Sequence, residues 1–303
     1  MLKNFVTRLD DRGAVSVSGA DAVKFLQGLV TNDVAALGLP DGSRACAAHA
    51  ALLSPQGKIL FDFLAARTTS GFVLDAARDK AAELAKRLAM YKLRADVVIA
   101  DASNSFVTLA LWGEAPVSSG ETEETVSFRD PRHDGLGLRI LTEARFAGDI
   151  TAATNATEVP ARYYHAHRIA LGVPEGGKDY EFGDAYPHEA DFDLFNGVSF
   201  SKGCYVGQEV VSRMQHKTVV RKRVVRISGE NDLTPGTDVA VKGIVIGRTG
   251  SVDGRHGLAL IRLDRYSDAI NADAPVQAGE TRIRIHEADV ARYTTSVSTR
   301  EKT

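Results

Sequence analysis

The chain has 303 residues, 44% hydrophobic and 25% charged, with a formal net charge of -2. That length supports two or three domains with sizeable cores, the near-neutral charge excludes a global basic footprint for nucleic acid, and no run of about 18 apolar residues exists to span a bilayer. The first residues lack the apolar stretch of a secretory leader, and the two cysteines, Cys46 and Cys204, fit free thiols in a reducing cytoplasm and are too few to fill the ligand positions of an iron–sulfur cluster within one chain; a cytoplasmic protein without membrane contact is expected.

Residues 13–18 alternate in polarity as a strand does. Asp21 is placed to cap a helix in which Val23, Leu26 and Val30 recur at helical spacing. Ser54-Pro55-Gln56-Gly57-Lys58 makes a turn, and the strand after it, over 59–65, puts Ile59, Phe61 and Phe63 on one face and Leu60, Asp62 and Leu64 on the other. Asp62 is then a carboxylate between two leucines, which needs a donor or a solvated cleft if buried; the plainer reading is a strand-edge aspartate facing water. A strand over 72–76, a helix over 78–90 with Leu84 and Leu88 on one face, a buried strand at Val97-Val98-Ile99 and a strand over 106–112 follow. The polar stretch 118–125 is expected as an exposed loop.

Arg129-Asp130-Pro131-Arg132 is a proline-stiffened turn, its arginines in solvent on the plainer reading, and helical spacing returns at 161–171. Residues 172–178 copy the glycine–lysine spacing of a phosphate loop. Asp179 replaces the required hydroxyl, Glu175 would oppose phosphate and no strand precedes it, so the segment is a helix stop. His165 and His167, two apart, lie on different sides of a helix with no ligand partner at metal-binding spacing, so no metal site is expected. After His216, strand-like segments at 218–227, 239–246, 257–263 and 283–287, separated by glycine turns, suggest a small closed β-domain. The cluster Arg221-Lys222-Arg223 with Arg226 is either a charged strand edge or a patch for an anionic ligand or RNA. A polar tail closes the chain.

The stretch with most chemistry is Ser201-Lys202-Gly203-Cys204-Tyr205-Val206-Gly207-Gln208-Glu209. Two glycines bracket Cys204; Val206, Val210 and Met214 recur four apart, and Glu209 and Arg213 are spaced to pair on a helix. A tight turn delivering Cys204 to a helix N-terminus is expected, where the dipole and Lys202 favour the thiolate. Cys46, in an alanine-rich stretch beside Arg44, carries no such signal. The plainer reading of Cys204 is a small buried packing residue.

Lys202-Gly203-Cys204-Tyr205, with Gly207-Gln208-Glu209, resembles the signature of the YgfZ-type folate-binding proteins, relatives of the glycine-cleavage T-protein, an aminomethyltransferase. The resemblance extends to residues 19–33, Asp130-Pro131-Arg132, 196–200 and 210–213. It implies an α+β fold: a T-protein-like core of two interleaved lobes over 1–217, a small C-terminal β-barrel-like domain over 218–290 and a tail over 291–303. It implies tetrahydrofolate, or a one-carbon derivative, held by Asp62 (the match to a folate-contacting T-protein aspartate), Arg132, Lys202, Gly203, Tyr205, Gly207, Gln208 and Glu209. Cys204 and Asp62 are the implied chemical groups. Gly137 stands where the T-protein has a folate-binding glutamate, a departure from its pattern. The implied function is a tetrahydrofolate-binding accessory protein that supports synthesis or repair of iron–sulfur enzymes, and indirectly tRNA modification, with iron–sulfur enzymes or assembly factors as partners. The alternatives are a folate-dependent aminomethyl or one-carbon transferase, in which Asp62 positions the folate nitrogen, and a tRNA-binding modification factor making a weak contact through the basic strand.

Overall fold

The structure, a computed structural model, describes residues 3–39, 46–114, 120–121, 125–217 and 219–292. Arg44, most of the loop expected at 118–125, and the tail from 293 lie outside those residues. The chain divides into two compact units, Met1–Tyr164 with Leu194–Gln208, and His165–Asp193 with Glu209–Thr303.

In chain order the first unit carries β1 (Asn4–Arg8), β2 (Arg12–Ser18), α1 (Ala22–Gln27), β3 (Ala47–Leu53), β4 (Ile59–Thr68), β5 (Gly71–Ala77), α2 (Arg78–Tyr91), β6 (Val98–Asp101), β7 (Phe106–Gly113), β8 (Gly120–Glu121), β9 (Thr125–Arg129), β10 (Leu138–Glu143), α3 (Ala147–Ala153), β11 (Thr157–Glu158) and the start of α4 (Ala161–Leu171). They form a six-stranded sheet in the order β11-β1-β7-β10-β9-β8 and a five-stranded sheet in the order β3-β4-β5-β2-β6. β1 and β2 go to different sheets and β7 returns to the first, so the chain interleaves the two.

Strand β4 shows why the sheets stack. Phe61, Phe63 and Ala65 point one way, into a core with Val15, Val17, Leu74 and the helix residues Leu26, Leu84 and Leu88. Leu64 and Ala66 point the other way and meet Val126, Phe128 and Leu141 of the six-stranded sheet. Each fully buried side chain of this size contributes roughly 1.5–3 kcal/mol. With both faces covered, β4 is buried along most of its length.

Three local expectations differ. Helix α1 stops at Gln27, and Val30 instead bridges to Leu52 of β3. Asp21 makes no cap bond; its carboxylate accepts from the Asp96 amide at 2.8 Å. Of the expected buried strand, only Val97 is buried; β6 begins at Val98, which is 62% exposed, because β6 is an edge strand pairing with β2 alone.

The second unit carries α5 (Gln208–Lys217) from Glu209 onward, then β12 (Lys222–Gly229), β13 (Asp238–Val241), β14 (Ile244–Asp253), β15 (His256–Arg262), α6 (Leu263–Asn271), β16 (Val276–Ala278) and β17 (Thr281–Ile285). The strands close into a barrel, β12-β15-β14-β13-β16-β17. Its interior is filled by Val225, Ile227, Val239, Ile246, Ile261 and Ile283, with Leu263 and Tyr266 of α6. The segment 239–246, expected as one strand, is a hairpin: Lys242 and Gly243 both have positive φ, 48° and 79°, the backbone a type I′ turn requires. Among the described residues no helix is long and apolar enough to cross a membrane.

The basic cluster is largely consumed by the fold. Arg223 donates to Asp191 at 2.9 Å, to Asp193 at 2.9 and 2.8 Å and to the His188 carbonyl at 2.8 Å. Arg226 pairs with Asp289 at 2.8 Å. Neither guanidinium is left for an anionic ligand, which corrects the expectation of a continuous patch. Replacing Arg223 by alanine strands two carboxylates and is expected to cost about 3 kcal/mol. Arg221, exposed, should cost less than about 0.5 kcal/mol. Urea denaturation of both variants checks this, and equal midpoints would contradict the assignment.

Candidate functional site

Within the first unit, the layer between the sheets is polar at one end. Arg139 of β10 is 1% exposed; its guanidinium lies 3.4 Å from Asp130 and donates to the Tyr164 hydroxyl at 2.6 Å. Arg132 grips both oxygens of Asp130, at 3.0 and 2.7 Å, and also reaches Tyr164. Arg12 pairs with Asp75 at 2.7 Å, and Asp75 lies 3.8 Å from Arg139. Burial alone would raise the Asp130 pKa, but the charge and hydrogen bonds of Arg132, with the charge of Arg139, outweigh it and hold the carboxyl well below its usual range. Arg132 is therefore not a solvated turn residue; it is 5% exposed because Asp130 receives it.

Beside this network lie His49 and Asp62. In the β3–β4 register His49 opposes Leu64 and Ala51 opposes Asp62, so His49 and Asp62 project from the same face one pair apart. Asp62 is 9% exposed, which overturns the reading of a strand-edge aspartate facing water. Its Oδ1 is buried and receives no hydrogen bond, although the residue interacts with its surroundings. His49 Nδ1 donates to the Phe195 carbonyl at 3.0 Å. Burial first, then the charge of Arg132, lowers the His49 pKa to about 4, against weaker upward pulls from the Phe195 carbonyl, Asp62 and Asp130. At neutral pH the ring is uncharged with its proton on Nδ1.

The Cys204 motif reaches the same region through the segment ahead of it. Asn196, at φ 53°, donates to the Pro131 carbonyl at 2.9 Å. Asn32 donates to the His49 and Asn196 carbonyls at 2.8 and 2.6 Å, and Thr31 to the Gly197 carbonyl at 2.6 Å. The Ser199 amide donates to the Thr31 carbonyl at 3.0 Å. Further on, Lys202 is buried and its ammonium donates to the carbonyls of Gln27, Val30 and Asn32 at 2.8, 2.7 and 2.7 Å. Burial pushes the Lys202 pKa down to about 8, opposed by the charge of Asp33. Tyr205 is buried, which pushes its hydroxyl up to about 12. Gly207 turns the chain at φ 82°, where a Cβ would lie 2.7 Å from the Ser54 carbonyl oxygen, so only glycine fits. Gly203 is exposed, and a Cβ there would meet nothing within 4 Å.

Several expectations are corrected by this geometry. Cys204 is exposed, not a buried packing residue, and it sits in the loop ahead of α5, whose first residue is Gln208, instead of at the helix N-terminus. The helix starts late because Tyr205 turns inward, Val206 packs on the core of the five-stranded sheet and Gly207 makes the bend. Lys202 does not face the thiol: its donors are directed at carbonyls. Glu209 is exposed at the start of α5, and no ion pair joins it to Arg213 among the described residues. The structure brings Arg132 and Asp62 together around His49, while no described contact joins Cys204 to Asp62. His49, Asn32 and Asn196 escaped the sequence reading as site residues; a lone histidine in the alanine-rich strand Ala47–Leu53 was the available signal.

Two stacked interleaved sheets followed by a barrel define an aminomethyltransferase-T-like fold. The glycine cleavage system aminomethyltransferase T from Bartonella henselae superposes with a TM-score of 0.74 over 95% of this chain and 86% of that one, at 16% identity. Residues 221–293 match the CAF17 C-terminal beta-barrel domain. The mitochondrial iron-sulfur cluster assembly factor IBA57 of Homo sapiens is 33% identical over 299 residues, covering 90% of this chain and 80% of its own. The Mus musculus protein is 34% identical, with 91% and 81% covered. The Mycosarcoma maydis homolog is 35% identical over 231 residues, 74% of this chain and 57% of its own. This chain belongs to the IBA57 family of iron–sulfur cluster assembly factors. The YgfZ-type resemblance thus pointed to a related family. These relatives are named as mitochondrial, which overturns the cytoplasmic placement.

Two predictions follow from burial and charge. Cys204 should react with an alkylating reagent in the native protein and Cys46, which is buried, only on unfolding; mass spectrometry of both sites checks this, and equal native labelling would contradict it. The unfolded chain protonates a histidine near 6.5 and folded His49 only near 4. Its contribution to stability is therefore complete above about 6.5 and is lost as pH falls toward 4, by up to about 1.4 kcal/mol per pH unit. The Asp130 contribution is separate, being lost only as pH falls below the ordinary carboxylate value of 3.8. Urea midpoints at pH 7, 6 and 5 should fall in wild type and less steeply in His49→Gln; parallel slopes would exclude His49 as the source.

Proposed function

We propose that this protein assists iron–sulfur cluster assembly by presenting the Cys204 thiol to a cluster-bearing partner, with the cluster as cargo. The observation that carries this reading is the contrast between the two cysteines, Cys204 exposed and Cys46 buried. One accessible thiolate supplies one ligand of the four that a cluster ordinarily takes, so the remaining ligands must come from the partner. Family membership supports the same assignment: the relatives are named as iron–sulfur cluster assembly factors. Cys204→Ser changes little in volume and should leave the fold intact. In cells lacking the endogenous protein it should fail to restore activity of a [4Fe–4S] enzyme that wild type restores at equal abundance. Full restoration would sink the reading.

Folate binding is a second reading, favoured by Asp62. A buried carboxylate at the centre of β4, near neutral His49 and paired Arg132, fits an N–H donor of a reduced pterin. The second carboxylate of the T-protein pattern is missing. Gly137 has φ 72° and a Cβ there would lie 2.2 Å from the Leu111 carbonyl oxygen, so no acidic side chain fits at that position. The donor set therefore matches folate at Asp62 alone. The tRNA reading loses support because Arg223 and Arg226 are already paired, and release of a one-carbon product would be needed to favour a transferase. In calorimetric titration with tetrahydrofolate, Asp62→Ala should weaken binding by about 1.5–3 kcal/mol; unchanged affinity would remove Asp62 from the site.

A further inference from the structure

We infer that Lys202 is a positioning residue: held by three backbone carbonyls, its ammonium fixes the loop that presents Cys204 and does not activate the thiol. The inference rests on the proposed role of Cys204.

An ammonium has three N–H donors and no acceptor. Lys202 directs it at the carbonyls of Gln27, Val30 and Asn32, all within 2.8 Å. Every donor is used, so none is left for a thiolate. Gln27 is the last residue of α1, where helix carbonyls lack intrahelical partners; the lysine satisfies one of them together with two carbonyls of the following turn. A buried ammonium is costly without such partners, and the site supplies a full set with the Asp33 charge nearby.

The rest of the loop is consistent with an anchor. The Lys202 amide donates to Ser199 Oγ at 3.2 Å, and the Ser199 amide is itself bound to the Thr31 carbonyl. The Tyr205 ring centroid lies 5.2 Å from the ammonium, within cation–π range. On the far side of Cys204, Gly207 is wedged against Ser54 and Gly57. Between these anchors Gly203 and Cys204 are exposed, and a Cβ at Gly203 would meet nothing. The thiol thus sits at the free apex of a loop fastened on both sides.

The three-carbonyl nest also separates positioning from a generic positive charge. Carbonyls converging on one point suit a compact ammonium, whereas a planar guanidinium presents its donors in a rigid fork. A residue needed only for its charge would be replaced by arginine without loss; a residue needed for this geometry would not.

The test uses the full chain in a Cys46→Ala background with a nitroxide on Cys204. Wild type should give a broad, motionally restricted spectrum, and Lys202→Met and Lys202→Arg should both give spectra dominated by a narrow, mobile component, with circular dichroism confirming the fold. A restricted spectrum in either variant overturns the inference. Should both variants fail to fold, hydrogen exchange on the unlabelled wild type decides: the amides of Ser199 and Lys202 should exchange at least about tenfold more slowly than that of Cys204, and uniformly fast exchange across 199–207 overturns it. The cell assay with Cys204→Ser speaks to function alone. A mobile label in both Lys202 variants with a fully active Cys204→Ser variant would sink the iron–sulfur role and leave the anchor standing; a restricted label in the Lys202 variants with an inactive Cys204→Ser variant would do the reverse.

Discussion

Asp130 accepts Arg132 on both oxygens and lies within 3.4 Å of Arg139, with Tyr164 bridging the two guanidiniums. These groups are almost wholly buried between two sheets. Removing one partner from such an arrangement costs about 3–5 kcal/mol, because the other charge is left without compensation. The network therefore constrains how β9 and β10 meet the five-stranded sheet. It also sets the electrostatics next door: the Arg132 charge helps keep His49 neutral, and neutral His49 holds the Phe195 carbonyl. Phe195 opens the segment leading to Cys204. Charge placement in the sandwich thereby bears on where an exposed thiol is presented.

Much of the frame is legible in residue order. Alternation at 13–18, the division of Phe61 and Phe63 from Asp62, the periodicity at 161–171 and the glycine-punctuated strands after His216 all correspond to observed elements. What stayed hidden depends on partners distant in sequence. Nothing local to Arg132 says that it is buried, since that requires the β9–β10 pairing to bring Arg139 alongside Asp130. His49 lies in Ala47–Leu53, a strand buried on both faces and so without alternation to mark its sides. Helical spacing runs from Val206, yet the helix starts later because tertiary contacts claim Tyr205 and Val206 for the core before Gly207 bends the chain. The motif string pointed toward iron–sulfur assembly but named a related family.

The fold is that of an aminomethyltransferase, yet fold and function part company at single positions. Gly137, with its left-handed backbone pressed on Leu111, has no room for a side chain. Asp62 is buried on the β4 face that meets the six-stranded sheet. The exposed thiol of Cys204 lies in the loop ahead of α5.

The residues seating the motif also shape how the protein behaves in concentrated solution. β3 is an outer strand of its sheet, and such an edge ordinarily offers a row of open amides and carbonyls to any passing chain. Here Val30 bridges to Leu52, the Thr31 amide donates to the Ala51 carbonyl, Thr31 Oγ1 accepts the Ala51 amide and Asn32 takes the His49 carbonyl. That side of the sheet is sealed by the segment that also supplies the carbonyls for Lys202. Among the described residues the opposite edge, β6, pairs with β2 alone and carries Val98 in solvent. Strand addition to this sheet therefore has one open end among the described residues: the β3 side, beside the Cys204 loop, is covered, and β6 is the edge left open.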